Sequence, residues 1–216
     1  MAEWKKAVER WRDTVRSELE LAKCPLPVDL ILSVIHVESR GYPGHRNPKS
    51  GASGLMQVMP GTLAWYNKQT GSPIPLSKLR SPDYPREQIR VGIWVLGQFW
   101  RSAHKYMASR LTDVPVDELG KIADLFYVAG PAAAKKRLDQ VDVPFFSYVE
   151  SRFPKWNALP HPRNVWKILP DTTIWPTESI ASWLKAAIGG EKKSRNSSIF
   201  LLIIMAAGYW WFMKRR

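Results

Sequence analysis

Between Cys24 and Arg40 the chain reads CPLPVDLILSVIHVESR. Pro25 and Pro27 suit the entry of a helix, and Asp29 falls in its first turn, where a negative charge meets the positive end of the helix dipole. Ile31, Val34, Ile35 and Glu38 then lie on one helical face. The stretch that follows, GYPGHRNPKSGASG, is rich in Gly, Pro and Ser and reads as a loop. A carboxylate therefore stands at the end of an apolar helix and at the mouth of a loop. The tetrapeptide VESR occurs twice, at 37–40 and again at 149–152 within FSYVESRFPKW, so two glutamates compete for that role.

The rest of the chain follows the same helical grammar. LMQVMPGTLAWYNK restarts a helix with a break near Pro60. REQIRVGIWVLGQFWRSAHKYMASR is a long helix with an apolar stripe through Ile89, Ile93, Leu96 and Trp100. DELGKIADLFYVAG and PAAAKKRLDQ are two helices broken at Gly130-Pro131. No run alternates with period two, so the expected fold is mainly α. At 216 residues the chain can bury one well-formed domain plus appendages.

The two ends differ in character. MAEWKKAVERWRD is charged throughout and lacks the apolar stretch of a secretory signal. It reads as an amphipathic helix with Trp4, Val8 and Trp11 on one stripe. At the other end, IFLLIIMAAGYWWFM (residues 199–213) is free of charge and flanked by Lys193, Arg195 and Lys214–Arg216. Its fifteen residues span roughly 22 Å as a helix against a hydrocarbon core of about 30 Å. Snorkelling basic flanks and local thinning can close that gap, and Tyr209, Trp210 and Trp211 sit where an interfacial belt would. A transmembrane helix is expected here. Residues 156–198 read as a Pro- and Trp-containing connector, whose Trp166, Trp175 and Trp183 suggest that it packs on something.

A net charge of +13 calls for an anionic partner: nucleic acid, anionic lipid or an acidic polymer such as cell wall. The lone Cys24 rules out an internal disulfide and a multi-thiolate metal site. His-Val-Glu at 36–38 lacks the P-C-x-x-C partner of zinc deaminases. GASG lacks the spacing of a nucleophile elbow, and SWLK at 182–185 lacks its K-T-G and S-D-N partners. His36, His45, His104 and His161 show no metal-ligand spacing. No metal or cofactor is expected.

Glu38 carries more. Desolvation on an apolar face disfavours the charged carboxylate, and an acid so raised can protonate a glycosidic oxygen near neutral pH. The plainer reading is a helix-end glutamate paired with Arg40 or another cation.

The loop after Glu38 weighs against the plainer reading. Glu38-Ser39, then Gly54-Leu55-Met56-Gln57 and Met59-Pro60, resemble the catalytic domain of the soluble lytic transglycosylases, relatives of goose-type lysozyme. A later family block, Asn-Ile with Gly and an aromatic, is met in part by Gln88-Ile89, Gly92 and Trp94. The Ala-Tyr-Asn-Ala-Gly block is Phe126-Tyr127-Val128-Ala129-Gly130 here, with Val128 in place of the family Asn. Pro144 and Tyr148-Val149 resemble the closing helix. Glu150 has no Gly-rich loop after it and Pro154 ends its helix, so the second VESR is the decoy.

The resemblance covers about residues 23–152. It implies a lysozyme-like (goose-type/SLT) helical domain over residues 23–155, preceded by an N-terminal helix at 1–22 packed on it. It also implies peptidoglycan as substrate. Glu38 is then the catalytic acid and base. Ser39 and Gln57 hold substrate or orient Glu38, Gly54 and Leu55 belong to the same motif, Met56 lines the cleft, and Tyr127 hydrogen-bonds the acid. Between Ser39 and Pro82 the sequence has no Asp or Glu, which suits the family's transglycosylation better than two-carboxylate hydrolysis. The expected partners are glycan strands, a membrane through residues 199–213, and other virion or membrane proteins, with no specific nucleic acid. The expected location is a phage particle or a bacterial inner membrane, facing the periplasm. The alternatives are a goose-type hydrolase, and a basic, membrane-anchored protein that binds wall or nucleic acid without catalysis.

Overall fold

The computed structural model describes residues 3–111, 114–170, 173 and 175–190. Its helices run in the order α1 (Glu3–Glu9), α2 (Arg12–Leu21), α3 (Val28–Ser39), α4 (Pro60–Thr70), α5 (Leu76–Arg80), α6 (Pro85–Ala108), α7 (Val116–Ala129), α8 (Pro131–Leu138), α9 (Phe146–Arg152), α10 (Pro160–Ile168) and α11 (Thr177–Gly190). The only β pairing among the described residues is a pair of isolated antiparallel bridges, Arg46 with Ser53 and Ser53 with Val58. The chain divides into two compact units, Met1–Gly97 with Lys167–Pro176, and Gln98–Trp166 with Thr177–Arg216.

In the first unit α1 and α2 pack on α3. Pro27, with ψ at 140°, holds an extended conformation and starts α3 at Val28. Every residue from Leu30 to Ile35 is buried, Ser33 included. The sequence suggests one apolar face, whereas the helix is covered all round, as expected when neighbours close on it from several sides. Ile89, Ile93 and Leu96 of α6 are buried, as the stripe predicts.

The charged ends of this unit are tied down. Glu18 of α2 is 1% exposed and accepts from Arg86 Nη1 at 3.0 Å and from Arg90 Nε at 2.7 Å. The bond to Glu18 raises the Arg90 guanidinium above its ordinary value. Arg12 joins Glu9 and, at 2.8 Å, Asp29, fixing the junction of α1, α2 and the start of α3.

One predicted helix is shorter than its sequence suggests. Leu55 to Val58 is not helical, and α4 begins only at Pro60. Gly54 and Gln57 take positive φ (80° and 46°), and Ser53 and Val58 exchange both backbone hydrogen bonds at 3.0 Å. An apolar run of this length is ambiguous between helix and strand until such pairings are known.

In the second unit α7 packs on α8 and α9, and the break at Gly130-Pro131 falls where expected, with Gly130 at φ 78°. Tryptophans of the segment read as a connector are anchored here. A Cβ on Gly120 would lie 2.6 Å from the Trp166 ring, and Arg101 lies 4.1 Å from the Trp183 ring centroid. That segment contains α10 and α11, so its described residues are largely helical. No helix among the described residues is long and apolar enough to cross a membrane. The candidate span at 199–213 lies outside the described residues.

Removing both arginines from Glu18 would leave a buried, uncompensated carboxylate. Arg86→Ala/Arg90→Ala should therefore cost roughly 3 kcal/mol of stability by urea unfolding, the low end for a broken buried pair. Adding Glu18→Gln to that double variant should recover part of the loss. A double variant as stable as the parent would contradict the assignment.

Candidate active site

Glu38 leaves the core in stages. His36, Val37 and Glu38 are half-buried after the fully buried turn that precedes them. The helix ends at Arg40, which is left-handed (φ 54°) and donates its N–H to the His36 carbonyl at 2.9 Å. Ser39 is buried. Its hydroxyl donates to the Ile35 carbonyl at 3.0 Å and accepts from Gly41 N at 3.2 Å. Ser39 thus ties down the helix end.

Gly41 follows at φ 80°, and a Cβ there would lie 2.5 Å from the Ala7 carbonyl oxygen. Arg10 and Trp11 donate to the Gly41 carbonyl at 2.6 and 3.1 Å. The N-terminal helices therefore grip the chain three residues past Glu38, where only glycine permits so close an approach.

The loop from Tyr42 to Val58 is tied to itself. Asn47 Oδ1 accepts from Lys49 N and Ser50 N at 3.0 and 3.2 Å. The His45 carbonyl accepts from Gly54 N at 2.9 Å and from Gln57 Nε2 at 3.1 Å, and Gln57 Nε2 also reaches the Gly54 carbonyl at 2.9 Å. Gln57 is thus a strut of the loop. Leu55 and Met56 are fully buried. Met56 packs against α6, where a Cβ on Gly92 would meet its sulfur at 2.2 Å. Met56, fully buried, supports the loop from beneath.

A residue given little weight in the sequence holds these pieces together. Gln88 of α6 is fully buried and spends its whole amide on backbone. Its Oε1 accepts from Leu55 N at 2.9 Å, and its Nε2 donates to the carbonyls of Pro43, Leu79 and Ser81 at 3.0, 3.2 and 2.8 Å. A Cβ on Gly54 would lie 2.7 Å from the same amide. The available signal was a glutamine beside Ile89 on an otherwise apolar helical stripe.

Tyr127 belongs to the second unit, half-buried on α7 with Val128 beside it. Its ring stands edge-on to Phe99 at 6.0 Å and tilted against His161 at 6.2 Å. His161 Nδ1 lies 2.8 Å from Oδ2 of Asp124, which is 2% exposed. This pair, separated by 37 residues, left no trace in histidine spacing.

Residues 20–119 match the family model of the transglycosylase SLT domain. The chain therefore carries an SLT-type domain over that stretch. The matched span contains α3, Glu38, the tied loop and Gln88 of the SLT domain, and ends before Tyr127. A comparison with curated proteins returns no match.

Two predictions follow from the geometry of the SLT domain. Gln88→Leu removes the partner of four backbone groups, three of them in buried bonds, and should destabilise the fold by at least ~2 kcal/mol in urea unfolding. Gln88→Glu keeps only the acceptor and should also be destabilised; a neutral Gln88→Leu would contradict the strut.

The second concerns His36, whose imidazole burial, and then the Arg40 charge, hold below its ordinary value. The unfolded chain therefore binds the extra proton first. The stability that His36 contributes is complete above about pH 6.5 and is lost as pH falls through the depressed folded value. His36→Gln should flatten the decline in urea midpoint between pH 7.5 and pH 5. An unchanged slope would show that His36 does not cause it.

Proposed function

We propose that the chain is a peptidoglycan lytic transglycosylase that cleaves the β-1,4 bond between N-acetylmuramic acid and N-acetylglucosamine. One observation carries the reading. Glu38 stands half-buried at the end of the core helix, in the stretch that matches the SLT domain. Other acids hold structural pairings. Glu9 and Asp29 bind Arg12, Glu18 binds Arg86 and Arg90, Asp83 bonds Ser81, and Glu87 bonds Lys78. In the second unit Asp117 bonds Lys121 and Asp124 bonds His161. A two-carboxylate hydrolysis needs a second acid or base at the scissile bond. A single carboxylate suffices for the intramolecular route.

In that route Glu38 donates its proton to the leaving glycosidic oxygen as the bond from the anomeric carbon breaks. The resulting carboxylate then accepts the proton of the muramic 6-hydroxyl, whose oxygen attacks the same anomeric carbon. A 1,6-anhydro ring closes, Glu38 is again protonated, and no water is consumed. Gln57 and Gln88 hold the loop beside the acid. In the same reading residues 199–213 anchor the enzyme at a membrane, in a phage particle or at a bacterial inner membrane.

Glu38→Gln should lower release of soluble wall fragments at least ~10²-fold while leaving fold and sacculus binding intact, because the amide is near-isosteric and cannot donate the proton. Glu150→Gln should stay within a few-fold of the parent. Mass spectrometry of the digests should show anhydro ends, one water lighter than reducing ends. Reducing ends dominating from the earliest times would make the protein a goose-type hydrolase instead.

A further inference from the structure

The second unit holds a groove of about 580 Å³ lined by Arg137, Arg152, Phe153, Pro154, Lys155, Trp156 and Asn157. No acidic residue lines it, and among the described residues no carboxylate pairs with Arg137, Arg152 or Lys155. Like charges gathered without a counter-charge cost free energy unless a ligand supplies one.

The arginine at the centre is pre-set for that task. The Arg137 guanidinium lies 4.6 Å from the Phe153 ring centroid and 5.6 Å from that of Trp156. Contact with two aromatic rings holds the guanidinium in the groove without neutralising its charge. Arg152 closes α9 and shares a helical face with Tyr148, which is 50% exposed. Arg152, Lys155 and Asn157 are exposed, so polar heads and aromatic edges alternate along one groove.

We infer that this groove is a binding subsite for an anionic glycan, in which Arg137, Arg152 and Lys155 take carboxylate or phosphate oxygens and the Phe153 and Trp156 rings pack on sugar faces. The inference rests on the peptidoglycan reading above. It extends that reading to residues beyond the matched SLT span and assigns them retention on the wall rather than chemistry. Carboxylates of the peptide stems and phosphates of wall-linked polymers offer the same oxygens.

The test uses the full chain carrying Glu38→Gln, so that binding is read without cleavage. Co-sedimentation with purified sacculi should weaken about tenfold for Arg152→Gln/Lys155→Gln, with a flatter salt dependence, and by a similar factor for Trp156→Ala. Lys6→Gln/Lys68→Gln removes the same charge elsewhere and should bind as the parent does. Sacculi stripped of phosphate polymers by acid separate the two sources: retained discrimination assigns the stem carboxylates, and lost discrimination assigns the phosphates. Equal weakening by both charge pairs, or none by the groove pair, would overturn the subsite. So would groove variants that lose single-stranded DNA binding while keeping sacculus binding. Cleavage is read separately with Glu38 intact. Groove-dependent binding by a chain that never cleaves would sink the catalytic reading alone, and cleavage with groove-independent binding would sink this one alone.

Discussion

The side-chain amide of Gln88 is the constraint on which the candidate site turns. A fully buried amide that bonds to four backbone groups cannot release any of them without stranding a donor or acceptor away from water. The four groups come from the loop after Glu38, from the Gly-Leu-Met-Gln turn and from the end of α5. Those segments are therefore held at one mutual position. Gly54 and Gly92 are then required by contact, because a side chain at the first would strike Gln88 and at the second would strike Met56.

This changes what the family-like motif means here. Leu55 and Met56 are filling, Gln57 is a strut and Ser39 finishes a helix. The motif encodes the rigidity of the ground beside Glu38, and most of its letters never face outward. A general acid benefits from such a setting, since its proton must be delivered along a fixed direction. The grip of Arg10 and Trp11 on Gly41 adds a second tether from the N-terminal helices.

Local chemistry was legible in the sequence wherever a single residue decides the backbone. Pro27 sets the start of α3, Gly130-Pro131 separates α7 from α8, and the stripe from Ile89 marks α6. The segment from Leu55 to Val58 was misread as helix because its conformation depends on the Ser53–Val58 pairing and on positive φ at Gln57, which propensity does not encode. The SLT-type domain and the placement of Glu38 at a helix end were legible. The inward turn of Met56 and Ser39 was not, because a motif lists residue types without their directions. Gln88 and the Asp124–His161 pair were missed for the same reason, since their partners lie far away along the chain.

The two copies of VESR show how context divides one tetrapeptide. In the first copy the glutamate ends a twelve-residue helix sunk in the core, and Arg40 serves as its left-handed cap. In the second the helix has seven residues, and Glu150 is bound to Arg163. There the arginine is the part left over. Arg152 has no carboxylate partner among the described residues and lies against the aromatic groove. In both copies the glutamate is half-buried and the arginine exposed, so the difference lies in the helix behind each and in the pairing around it. The depth of the helix decides the first case and the local ion pairing decides the second.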